Sequence, residues 1–156
     1  MDLQTLSGVT GAFNAAGLTL DGSNKENVTF TNATELALNG TALSVAANQE
    51  VALTGTSLAA SQTCVFLICS AGGTSHTAVQ SEIVANSDLT DRGLAIQLPD
   101  IPEGNVPVGY AKVSTNASGA FIPGTTNLDT ANVFDVYVDF LGGIVDRAVQ
   151  GVATGA

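Results

Sequence analysis

The sequence predicts an all-β fold, an antiparallel β-sandwich or barrel-like domain with a short N-terminal arm. Three observations carry that expectation. Apolar and polar residues alternate with period two in several short runs, Gly, Asn and Pro turn signals punctuate them about every ten residues, and no strand–helix–strand alternation appears. A chain of 156 residues suits one domain with a core of its own. Its expected parts are an arm over 1–19, a β-rich domain over 20–142 and a tail over 143–156.

The arm carries Leu3, Leu6, Val9 and Phe13 at loosely helical intervals, interrupted by Gly8 and Gly11. Each glycine costs about 1 kcal/mol relative to Ala in a helix interior, so the segment is expected to order only when docked. From Val28 the chain turns β-branched and alternating, and strands are expected near 28–31, 34–38, 41–46 and 50–54. Asn39 and Gly40 between two such runs form the strongest short hairpin signal, because both residues tolerate positive φ.

The run 63–70, containing CVFLIC, reads as a fully buried strand. It is far shorter than the ~20 residues a membrane-spanning helix needs. Cys64 and Cys69 sit five apart, which in a strand places their side chains on opposite faces and their Cα atoms roughly 16 Å from each other. A disulfide requires Cα atoms within about 7 Å, so both are expected as reduced packing residues.

Residues 77–85 fit either a strand or a helical turn. Pro99, Pro102 and Pro107 then frame a connector that is expected to cross between sheet regions without joining a central strand. Alternation resumes over 108–115 and again over 133–140, where Phe134, Val136, Val138 and Phe140 share one face and Asp135, Tyr137 and Asp139 the other. The apolar face is expected to meet the core and the polar face water or a partner.

Composition narrows the functions. Only 12% of residues are charged, against a usual share of roughly 25%. A 45% hydrophobic content without a membrane-length run leaves apolar surface to hide, which implies an oligomer or a docked subunit. The net charge is −10, and Lys25, Arg92, Lys112 and Arg147 are scattered, so neither nucleic acid nor an anionic membrane is an expected partner. No basic and apolar leader opens the chain, and the four N-x-S/T sequons at Asn27, Asn32, Asn39 and Asn116 are read as products of an Asn- and Thr-rich composition.

Catalytic chemistry finds little purchase. The single histidine, His76, follows Ser75, but neighbours in an extended chain point apart, and no G-x-S-x-G elbow or orienting carboxylate accompanies them. One His and two diverging Cys cannot supply the four ligands of a structural zinc site. Asp135 and Asp139 lie roughly 13 Å apart along a strand, too far to share a calcium ion. No phosphate-binding glycine loop is present. No catalytic residue, metal or cofactor is expected.

Several stretches resemble small virion structural proteins of tailed bacteriophages, of the head decoration, cement or head-fibre type. The matching pieces are LPDIPEG at 98–104, PVGY at 107–110, FIPGTTNLD at 121–129 and CVFLICSAGGT at 64–74. The resemblance implies a β-rich, capsid-associated subunit, often trimeric, that binds the major capsid protein on the outside of the shell and is assembled in the host cytoplasm. Leu3, Leu6, Phe13, Tyr137, Thr125 and Thr126 are the expected subunit or capsid contacts. A fibre or adhesin module binding host glycans is the alternative, and a hydrolase relying on His76 a more distant third.

Overall fold

A computed structural model describes residues 10–140. These form strands β1 (Gly11–Ala12), β2 (Leu18–Leu20), β3 (Asn27–Phe30), β4 (Thr34–Leu38), β5 (Thr41–Val45), β6 (Gln49–Ala52), β7 (Gln62–Ser70), β8 (His76–Gln80) and β9 (Val84–Ala85). Helix α1 (Asn86–Asp91) and strands β10 (Val106–Thr115) and β11 (Val133–Asp139) complete them. All pairings are antiparallel.

The domain is all-β and sandwich-like, with no closed barrel. One layer is the sheet β11-β10-β7-β8, with β9 also on β7. Two three-stranded sheets, β1-β4-β5 and β2-β3-β6, form the other. Strands β1, β2 and β4 pack on β10, β2 also on β11, and β6 on β8. The core between them includes Phe30, Leu36, Leu53, Phe66, Ile68 and Phe121, each wholly buried.

Local chemistry accounts for the turns. Asn39 and Gly40 both take positive φ, 49° and 81°, and join β4 to β5 in a two-residue hairpin with Leu38 opposite Thr41. Cys64 faces the core cluster, Cys69 lies on the other side of β7, and both are buried and unbridged. The expected strands from 28 to 70, and those at 108–115 and 133–140, all form within a residue or two of the expected bounds.

Three expectations need correction. Residues 10–19 are not an arm: Ala12, Ala16 and Leu18 are core residues, and the β1 and β2 strands pair with β4 and β3. Glycine-rich helical spacing hid this, because two- and three-residue strands are too short to show a period. Leu3 and Leu6, and the tail over 143–156, lie outside the described residues.

Pro107 does enter a central strand. It stands opposite Cys69 at a register shift between Pro107 and Gly109, and this bulge is where a missing ladder donor is tolerated. The third correction concerns β11, whose faces are reversed. Phe134 and Val136 are 55% and 54% exposed, while Tyr137 packs on the core and Asp139 turns inward. Alternation separates two faces but does not say which one is covered.

Gly109 shows how closely the layers meet. A Cβ there would lie 2.3 Å from the Val138 carbonyl oxygen, 2.6 Å from Leu18 Cδ1 and 3.1 Å from Asp139 Cα. Gly109→Ala must therefore push β11 or β2 away from β10, and a loss of about 1–3 kcal/mol is expected. Denaturant unfolding of the variant checks this, and a midpoint equal to that of the parent chain would refute it.

Candidate functional site

The only histidine ends up paired with a serine, although not with its sequence neighbour. His76 Nδ1 lies 3.0 Å from Ser70 Oγ, across the β7–β8 hairpin. Ser70 is wholly buried, and its hydroxyl also accepts from the Gly72 amide at 3.0 Å, so it is occupied in holding the turn. The His76 ring stacks at a tilt on Phe30, with centroids 4.9 Å apart, and its Nε2 is buried without a hydrogen-bond partner among the described residues. A serine with no exposed surface cannot meet a substrate, and among the described residues no carboxylate hydrogen-bonds the ring. The arrangement serves as a hairpin clasp.

Desolvation lowers the His76 pKa below its ordinary value. Burial pushes the Cys64 and Cys69 thiols up to about 11 and about 12, so at neutral pH both remain protonated and poorly nucleophilic. Among the described residues no three His, Cys, Asp or Glu gather into a metal-sized cluster. Asp139 Oδ1 accepts from the Leu18 amide at 3.0 Å, and Asp129 pairs with Lys25.

Of the expected contact residues, Phe13, Tyr137, Thr125 and Thr126 fall within the described residues. Phe13 is 56% exposed at the end of β1, its amide bonded to the Glu35 carbonyl. Tyr137 is half-buried against the core, and its hydroxyl has no hydrogen-bond partner among the described residues. Burial first, then the neighbouring Asp135 carboxylate, holds that phenol well above its ordinary pKa. Tyr137 thus packs against the core on the inner side of β11.

Thr125 and Thr126 belong to the corner that begins at Phe121. Gly124 takes φ 69°, Pro123 precedes it, and the Thr125 amide donates to the Ile122 carbonyl, as a type II turn requires. The Thr126 hydroxyl then accepts from the Ile122 amide at 3.0 Å. Buried Phe121 and Leu128 anchor the two ends, through backbone bonds to Leu58 and Lys25. Thr126 is thus a structural residue, and Thr125 is exposed beside it.

The surface with the most binding character lies on the outer face of the larger sheet. Val65 of β7 and Tyr110 and Lys112 of β10 line a groove of about 440 Å³, together with Leu89 of α1 and Leu94 and Leu98 of the following connector. Its volume falls within the range of ligand and peptide sites. Reading the sequence missed it, since the connector's apolar residues have no period. No helix among the described residues is long and apolar enough to cross a membrane.

Two outcomes follow from this chemistry. Because the folded pKa of His76 is depressed, the unfolded chain binds the extra proton first, so stability is complete above the ordinary value of 6.5 and declines as pH falls below it. The unfolding midpoint should drop between pH 7 and pH 5, and His76→Gln should flatten that slope; equal slopes in both chains would refute the assignment. Thr126→Ala should cost about 0.5–1.5 kcal/mol by orphaning the Ile122 amide, with Thr126→Ser near the parent in thermal unfolding.

Compared with protein-family models, curated proteins and solved structures, the chain matches none.

Proposed function

We propose that this chain is a non-catalytic structural subunit of a phage head, a decoration or cement protein bound to the capsid exterior. It bridges neighbouring major capsid subunits as a homotrimer. The observation that supports this most is uncovered apolar surface. Among the described residues seven large hydrophobic side chains, Phe134 and Val136 among them, are between 47% and 56% exposed, on a chain with only 12% charged residues. Such a surface calls for a partner.

The resemblance of 98–104, 107–110 and 121–129 to phage head proteins supplies the kind of partner. Charge supplies the side of the shell: at −10 the chain is repelled by packaged DNA and suits the exterior. A ligand that binds only the assembled shell stabilises it by mass action. The glycan-binding alternative draws less support, because there is no Trp and both Tyr residues are half-buried.

Particles assembled with and without the chain test the reading. Density for the chain on the outer surface, a higher disruption temperature for decorated particles, and a light-scattering mass three times the 15.6 kDa chain are expected. A chain that stays in solution when mixed with undecorated shells would sink the proposal.

A further inference from the structure

The reversed faces of β11 create a continuous apolar surface. Phe134, Val136 and Val138 stand directly opposite Ser114, Lys112 and Tyr110 of β10, and residues opposed across paired strands project to the same side. Lys112 and Tyr110 line the 440 Å³ groove, so the row on β11 extends that groove to the rim of the sheet. Leu94 and Leu98, which line the same groove, are 51% and 47% exposed.

Charge gives the chemistry of what fits there. Three cationic side chains fall within the described residues: Lys25 pairs with Asp129, Arg92 pairs with Asp88, and Lys112 has neither an ion pair nor a hydrogen bond among those residues. Lys112 occupies one cross-strand row between Val136 and Val65. A carboxylate brought to this apolar setting would meet an unpaired ammonium at lower effective dielectric than on the open surface.

The backbone gives the mode of binding. β11 ends its sheet, and over its seven residues no strand among the described residues pairs with its outer edge. An extended segment added along that edge would lay alternate side chains beside Phe134 and Val136. Its backbone would stand about 10 Å from β10, two strand spacings, a gap that a glutamate and Lys112 together span.

We propose that the β11 edge and the Lys112 groove form a β-augmentation site for an extended apolar segment carrying one carboxylate. This rests on the decoration reading, in which the segment belongs to the capsid subunit. The carboxylate pairs with Lys112, and the flanking apolar side chains cover Val136 and Phe134.

Photo-cross-linking on intact particles tests the site. Benzoylphenylalanine is installed at position 136 of the full chain, and in a control at position 23, an exposed serine between β2 and β3. The probe at 136 should join a capsid-subunit peptide that alternates apolar residues and contains Asp or Glu, while the control should not capture that peptide. Lys112→Glu should lower particle occupancy at least tenfold with an unchanged unfolding midpoint, and Lys112→Arg should retain it. Cross-links from 136 to a second copy, to residues 141–156 or to nothing, on particles that do carry the chain, would overturn the site and leave decoration standing. A chain absent from particles would remove the decoration reading itself.

Discussion

Strand β7 is covered on both faces, and the rest of the domain is arranged around that requirement. From Thr63 to Ser70 every residue is buried. Cys64, Phe66 and Ile68 face the core between the layers, whereas Val65, Leu67 and Cys69 face outward and are still covered. Full burial of a side chain such as Phe, Ile or Val is worth about 1.5–3 kcal/mol, so one strand gathers much of the stabilisation. It also needs neighbours on each edge to satisfy its backbone, which β10 supplies on one side and β8 and β9 on the other. Polar pins close its ends: Thr63 Oγ1 reaches Asn86 and Ser114, and Ser70 Oγ reaches His76.

With β7 in place, the position of β10 follows, and β11 follows β10. Because Gly109 allows β11 and β2 to approach within side-chain contact, the smaller sheets can seal the inner face. Among the described residues no second sheet covers the outer face. It is covered by α1 and an irregular connector that exposes several of its own apolar residues, and the result is a groove rather than a sealed layer.

Reading the chain succeeded where short-range physics decides. Period-two alternation located β10 and β11, the unbroken apolar run located β7, and Asn39 and Gly40 marked the β4–β5 hairpin. It failed where long-range placement decides. Gly11–Ala12 and Leu18–Leu20 are strands only because β4 and β3 lie beside them. Pro107 is admitted to a central strand by a bulge that no local signal announces. α1 has six residues and buries none, too few for a helical period. Which face of β11 is covered is settled by Tyr137 and Asp139, through contacts with the core and with the Leu18 amide, more than a hundred positions away.

An open edge with apolar neighbours poses a hazard before any partner is met, since unpaired strand edges add further copies of themselves as readily as the intended segment. The chain carries no lysine on β11 and no proline to blunt it. Asp135 and Asp139 put charge on the strand itself, and the molecule as a whole adds to it: at −10, two copies approaching edge to edge repel each other before the short-range attraction of Phe134 and Val136 takes hold. That protection is screened over about 8 Å at physiological ionic strength. The acidic composition thus acts as a colloidal brake, and salt concentration becomes the variable that governs how long the free subunit stays dispersed.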